Sequence, residues 1–242
     1  GGGGKPLKLH HTKPLTTLAI DWQEDRVAAG DVSGRILIWH GLKGALALAG
    51  TAEEAPPLPC TTVQWHAHPV GCLAFSEDGA YMVSGGLEGV LVLWQLETGA
   101  RQYLPRLGAA LTAVVNAPDP ARVALTCSDN SVRVVNAAAM LVECTVQGVQ
   151  PEPAGGAPRE VAGATHLQPV TGHLVLPGLG ASLQVYDLAR DRHIGLVQVA
   201  PRNAVSLTDG APGEDEPRVQ HAAHSPCGSV LATVDVRPDG GG

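Results

Sequence analysis

The chain has 242 residues, 44% hydrophobic and 16% charged, so it can bury a large core and lacks the composition of a disordered chain. Its formal net charge of −7 at pH 7 excludes nucleic-acid binding through bulk electrostatics and leaves only local basic patches for it. The most apolar stretch, ALALAG at 45–50, is far shorter than the roughly 18 residues of a membrane helix.

The opening, GGGGKPLKLHHTK, has no apolar stretch of the kind a secretory signal carries. It does not begin with Met, and both ends are glycine tracts, so we expect a piece of a longer protein. Cys60, Cys72, Cys127, Cys144 and Cys227 are odd in number and form no C-x-x-C pair. This points to thiols in a reducing compartment rather than to a disulfide framework or a zinc site.

Taken in chain order, four segments repeat one pattern: an apolar strand, a turn, a small-residue strand, a tight turn, and an alternating strand ending on a bulky residue. They span 16–40, 71–99, 112–140 and 165–193, and a fifth begins at 219–235. In the second, Phe75, Tyr81, Val83, Leu91 and Leu93 sit among small or polar neighbours, as half-buried strands require. The turn SEDG at 76–79 supplies Asp78-Gly79 for a positive φ, and APDP at 117–120 and SPCG at 225–228 occupy the same slot. Leu87-Glu88-Gly89 forms the second tight turn, matched by Ser128-Asp129-Asn130.

The strand-end anchors Trp39, Trp94, Val135 and Tyr186 are 55, 41 and 51 residues apart. Propeller blades repeat about every 40–45 residues. The two longer intervals contain insertions at 41–60 and 149–163 that lack any period and read as loops. The expected fold is therefore all-β: a β-propeller with about four and a half blades visible, part of a tandem propeller. One blade cannot bury both faces of its sheet, so blades must pack around an axis. The expected organisation is blades of one propeller in 1–148, a linker at 149–163, and further blades in 164–242, the last incomplete.

The pattern resembles the WD40 family. A typical blade there carries a His before the first strand, Ser or Thr in the second, Asp in the next turn and Trp in the third, joined by buried hydrogen bonds. The resemblance assigns this signature to His68, Ser84 and Trp94, with Glu88 at the acidic position. It also assigns Trp39 with Ser33, Thr126 with Asp129, and Tyr186.

The local sequence resembles one family more closely. Residues 64–109 carry Trp65-His66, Ser84 to Trp94, and YLPRLG ending at Gly108; Ser128-Asp129-Asn130-Ser131 and Val146-Gln147-Gly148 follow. These are similar to the WD repeat-containing protein 75 family, subunits of the UtpA subcomplex of the small-subunit processome. The resemblance implies a nucleolar scaffold that binds the 5′ external transcribed spacer of pre-rRNA with other UtpA WD40 subunits and processome proteins. It implies roles in rRNA processing and rDNA transcription.

The rest of the chemistry is bland. His66 and His68 form an H-x-H pair, but no third metal ligand is identifiable, and a hydrogen-bonding role for His68 fits better. His10-His11 and His221/His224 read as loop or strand-edge residues. No G-x-S-x-G, G-x-G-x-x-G or P-loop signature occurs, so we expect no catalytic residue, cofactor, metal, membrane association or small-molecule substrate. Arg101 and Arg106 flank Tyr103 in what reads as an inter-blade loop; with Arg35 they are the candidate contacts for RNA or an acidic partner. Arg133 and Arg35 lie in third strands, where arginine commonly packs against a neighbouring blade, and GEDEP at 213–217 reads as a solvated acidic loop. The alternative reading is a WD40 adaptor of another complex, such as a ubiquitin-ligase substrate receptor.

Overall fold

The computed structural model describes residues 7–49, 57–104, 106–117, 119, 121–149, 164–178, 181–200 and 217–236. The expected linker, apart from residue 149, and the acidic loop, apart from residue 217, lie outside them. Among the described residues the chain forms four four-stranded antiparallel sheets and one two-stranded sheet. It divides into two compact units, Gly1–Thr145 and Val146–Gly242.

In the first unit, blade 1 comprises β1 (Leu15–Ile20), β2 (Arg26–Asp31), β3 (Arg35–His40) and β4 (Cys60–Gln64). Blade 2 comprises β5 (Val70–Phe75), β6 (Tyr81–Gly86), β7 (Leu91–Gln95) and β8 (Arg101–Leu104). Blade 3 comprises β9 (Leu111–Asn116), β10 (Arg122–Cys127), β11 (Val132–Asn136) and β12 (Leu141–Val146), whose last residue falls in the second unit. Each sheet is a meander in which neighbours in sequence are neighbours in space.

Alternation along the strands sends side chains to both faces of a blade, and two cores result. Val70, Leu73, Phe75, Met82, Val92 and Trp94 of blade 2 pack on Ala28, Ile36 and Ile38 of blade 1. The opposite face of blade 2, with Cys72, Val83, Leu91 and Leu93, packs on Leu111, Val123, Leu125 and Val135 of blade 3. A buried leucine in such a core costs about 2–5 kcal/mol when cut to alanine. Blade 2 is thus buried on both sides.

The turns follow a backbone rule that the anchors reveal. Five residues before each anchor stands a residue of positive φ: Gly34 at 79°, Gly89 at 64°, Asn130 at 62° and Ala181 at 51°. Five residues after the last three anchors stand Gly99, Met140 and Asp191, also with positive φ. The anchors themselves are buried.

The insertion at 41–60 is not wholly a loop. Residues Leu42–Ala49 form helix α1. The segment is rich in Leu and Ala, which favour helix, but too short to display a period. Leu42, with Leu9 and Leu58, packs on Val27, Ala29, Leu37 and Trp39 of blade 1. No helix among the described residues is long and apolar enough to cross a membrane.

The second unit holds blade 4, with β13 (His166–Leu167), β14 (Leu174–Gly178), β15 (Ser182–Asp187) and β16 (Arg192–Gln198), and the pair β17 (Arg218–His224) and β18 (Leu231–Val236). Its core gathers Val175, Ala181, Leu183, Val219 and Ala222. Tyr186, 1% exposed, donates its hydroxyl hydrogen to Asp191 Oδ1.

Candidate functional site

The polar centre of the first unit is a hydrogen-bonded chain inside blade 2. Trp94 Nε1 donates to Ser84 Oγ at 2.8 Å. Ser84 Oγ lies 2.8 Å from His66 Nε2, and His66 Nδ1 lies 3.3 Å from Glu88 Oε2. The other Glu88 oxygen, Oε1, accepts the backbone N–H groups of Ala67 and His68 at 2.9 and 2.8 Å. The chain ties the third strand to the second, then to the segment entering the blade, then to the turn between β6 and β7. Burial holds the His66 pKa below its ordinary value, although Glu88 pulls the other way.

The structure places Ser84, Trp94 and Glu88 in this chain and corrects the histidine. It is His66, 1% exposed, that bonds; His68 is exposed and contributes its backbone N–H. The two residues alternate along one segment, so spacing alone could not separate them. A usable signal was their distance from the strand: His66 stands four residues before Val70, as His11 stands four before Leu15.

His11 is the second residue missed. Its Nε2 lies 3.1 Å from Oδ2 of Asp31, a buried carboxylate. Asp31 Oδ1 accepts from Ser33 N, Ser33 Oγ and Arg35 N at 2.7, 2.7 and 3.0 Å. Burial raises the Asp31 pKa, but the Ser33 hydroxyl, the Arg35 N–H, His11 and the Ser33 N–H outweigh it and bring it down to about 2. Blade 1 therefore closes the same corner with a different acid. Trp39 occupies the anchor, while Ala29 stands where blade 2 has Ser84.

Blade 3 lacks the chain. Thr126 is one register position away from the serine slot: Ser84 pairs with Leu73 and Val92, and the matching residue is Leu125, which pairs with Val114 and Arg133. A one-residue slip turns a side chain to the other face. Thr126 accordingly meets the Thr112 hydroxyl at 2.9 Å. Leu107 replaces the histidine and is buried. Asp129 does hold the Glu88 position, but its Oδ1 closes its own turn on Ser131 N and Oγ at 3.0 and 2.6 Å. Arg133 reaches back to Asp129 at 3.9 Å.

The candidate contact residues are partly assembled on the outer strand of blade 2. Arg101 and Tyr103 are not in a loop; they belong to β8 and pair with Trp94 and Val92. They share one face because they alternate. The Arg101 guanidinium lies 5.8 Å from the Trp94 ring centroid. The Tyr103 ring, 42% exposed, is tilted against Trp65 with centroids 5.2 Å apart. Arg35 pairs with Gln64, next to Trp65 in sequence. Arg106 is exposed beyond the end of β8. The result is a ridge of Tyr103 and Trp65 with Arg101 alongside, whereas Arg35 alternates with Leu37 and Trp39 onto the opposite face of blade 1.

Among the described residues no group of three or more His, Cys, Asp or Glu side chains is placed to hold a metal ion. All five cysteines are free thiols; burial pushes Cys72 up to about 12.

The family model for the first beta-propeller of WD repeat-containing protein 75 matches residues 8–130. The U3 small nucleolar RNA-associated protein 17 of Schizosaccharomyces pombe is 32% identical over 194 residues, covering 72% of this chain and 24% of that protein. The WD repeat-containing protein 75 of Danio rerio is 28% identical over 224 residues, covering 92% and 24%. This chain thus spans about a quarter of the length of these relatives. Among solved structures, the Cps50 (Swd1) β-propeller domain of Myceliophteria thermophila aligns with a TM-score of 0.53 at 17% identity, covering 93% of this chain and 62% of that one. That likeness supports the propeller fold. With the match spanning blades 1 and 2, the first two strands of blade 3 and the His66–Trp94 chain, the protein belongs to the WD repeat-containing protein 75 family, in its first β-propeller.

Proposed function

We propose that the chain is part of a non-catalytic scaffold subunit of the small-subunit processome, of UtpA type. It acts in the nucleolus, in rRNA processing and small ribosomal subunit biogenesis, linked to rDNA transcription. Partner WD40 subunits and the 5′ external transcribed spacer of nascent pre-rRNA are its ligands. The observation that carries this reading is the likeness over 72% of the chain to a protein named for its association with U3 small nucleolar RNA. The blade chemistry agrees with it: the buried polar groups of blade 2 are spent on bonding one another, which suits a rigid scaffold.

Within this reading the RNA contact is the ridge of Arg101, Tyr103 and Trp65, with Arg106 and Arg35 as further candidate contacts outside it. Aromatic faces stack unpaired bases, and arginine reaches phosphate, without a broadly basic surface. The test is ultraviolet crosslinking and affinity purification of the complete protein. The expected result is recovery of 5′ spacer pre-rRNA with nucleolar WD40 partners. A joint Arg101→Ala, Tyr103→Ala variant should lower RNA crosslinking about tenfold and leave the protein partners in place. Recovery of ubiquitin-ligase components without pre-rRNA would overturn the assignment and leave the propeller intact.

A further inference from the structure

We propose that the cleft where the segments following β1, β5 and β9 converge is a receptor for an arginine side chain of a basic protein segment. The cleft, of about 720 Å3, is lined by Ile20, Asp21, Trp22, Glu24, Phe75, Ser76, Glu77, Asn116 and Ala117. These residues come from the ends of β1, β5 and β9 and the turns that follow them. The volume is in the range of sites that enclose a ligand group, about 300–1,000 Å3. It is separate from the aromatic ridge proposed for RNA and stands independently of that reading.

The chemistry of the lining is one-sided. Glu24 and Glu77 are exposed carboxylates with no ion-pair partner among the described residues. Asn116 Nδ2 donates to the Phe75 carbonyl, which fixes the amide and leaves Oδ1 as a buried acceptor without a partner. Arg26, the cation that reaches Asp21 and Phe75 of this lining, is already committed. Its Nε donates to Asp21 Oδ2 at 2.8 Å, its Nη2 donates to the Gly79 carbonyl at 2.8 Å, and its guanidinium lies 5.5 Å from the Phe75 ring centroid. The cleft therefore offers unfilled acceptors and uncompensated negative charge.

Its apolar wall is equally specific. Trp22 is 75% exposed, whereas Trp39 and Trp94 are 6% and 5% exposed. Phe75 forms a buried apolar base beside it. A guest must be a donor with an aliphatic stem and a cationic head. Arginine meets every requirement: its stem covers Ile20, its planar guanidinium stacks on an indole, and its five N–H groups can serve the two glutamates together, with Asn116 Oδ1 reached only if the amide turns toward the cleft. Lysine supplies the charge but not the stacking plane. RNA is disfavoured, since its phosphates would face Glu24 and Glu77.

The test uses the complete protein and a dye-labelled Gly/Ser peptide carrying two arginines, read by fluorescence anisotropy. Matched peptides carry lysine or citrulline, the latter being arginine's neutral isostere. The arginine peptide should bind, the lysine peptide more weakly, and the citrulline peptide at least about tenfold more weakly. Trp22→Ala, and Glu24→Gln with Glu77→Gln, should each weaken binding about tenfold, with unchanged thermal midpoints because these side chains are exposed. Arg101→Ala with Tyr103→Ala should leave peptide binding unchanged. Equal binding of arginine and citrulline peptides would overturn the proposal, as would indifference to the Trp22 and glutamate changes. So would competition by polyuridylate that the Trp22 change abolishes, which would mark an RNA site. Protection of Trp22 from acrylamide quenching in the free complete protein would show that another blade fills the cleft, and would overturn it too.

Discussion

His66 Nε2 accepts the Ser84 hydroxyl hydrogen at 2.8 Å, and the direction of that bond follows from its neighbours. The Trp94 indole can only donate, so it occupies the Ser84 oxygen as an acceptor. A serine oxygen can still accept a second hydrogen, so the direction is settled by Glu88, whose carboxylate only accepts and therefore faces Nδ1–H, and by the burial that keeps the ring neutral. Nε2 is therefore unprotonated, Nδ1 carries the hydrogen, and Nδ1 donates to Glu88. One neutral tautomer satisfies all four groups; the imidazolium would turn Nε2 into a donor and leave the Ser84 hydroxyl hydrogen without this acceptor.

From this arrangement, His66→Ala should destabilise blade 2 by about 2–3 kcal/mol, because it leaves Ser84 and Glu88 short of partners at a buried site. His68→Ala should cost under about 0.5 kcal/mol, since that side chain is exposed and its backbone N–H is retained. Hydrogen exchange of the β6 and β7 amides in the complete protein measures both. Equal effects of the two changes would mean that the chain does not organise the blade.

The same chain sets a pH dependence. The folded His66 pKa is depressed below 6.5, first by burial. Above 6.5 the neutral ring is present in both folded and unfolded states, and the stability is complete. As pH falls from 6.5 to the folded value, the unfolded chain binds the proton more readily, so stability declines; below the folded value it levels off. Protection of the β6–β7 amides should therefore drop on acidification below pH 6.5, and His66→Phe should abolish that component of the slope. A slope unchanged by the substitution would assign it to another group.

Much of the blade architecture can be read from residues whose demands are local. Gly79, Gly89 and Asn130 mark turns because few other residues tolerate a positive φ, and Trp39 and Trp94 mark strand ends because they are large enough to anchor a core. What escaped the reading depends on distance and register. His66 and His68 are alike in type and alternate on one segment, and only the four-residue offset from the strand, shared with His11, separates them before the fold shows which one faces Ser84. Thr126 fits the serine slot by type, but ten residues before Val135 stands Leu125, as Ser84 stands ten before Trp94. Helix α1 has too few turns to show a period. The convergent cleft draws on residues from three blades and leaves no mark on any single segment.

Arg26 fastens blade 1 to blade 2 through the Gly79 carbonyl and the Phe75 ring. Asp21, 3% exposed, holds it with Oδ2 while Oδ1 accepts the Asp25 and Arg26 N–H groups at 2.8 and 3.1 Å. Arg26→Met keeps the apolar contact but strands a buried carboxylate, and should cost about 2–4 kcal/mol. Asp21→Asn keeps hydrogen bonding through its side-chain oxygen and should cost less. A double-mutant cycle on denaturant unfolding should return a coupling of about 1–3 kcal/mol. Additive effects would show that the pair does not act as a unit.

Gly34 shows how closely a turn of one blade meets the segment entering the next. Its φ is +79°, and a Cβ there would stand 2.0 Å from the His66 carbonyl oxygen and 2.9 Å from that of His68. Both obstacles are backbone, so neither can swing aside. Gly34→Ala must displace the segment that carries His66, and the loss should exceed the about 1 kcal/mol of an ordinary left-handed alanine. We expect about 3 kcal/mol, with His66 dislodged from Ser84 and faster exchange in blade 2 as well as in blade 1. Gly41→Ala is the control: its φ is also +79°, but a Cβ there meets nothing within 4 Å, so only the backbone term should appear. If the two substitutions cost the same and blade 2 exchange stays unchanged, the Gly34 contact does not hold the His66 segment in place.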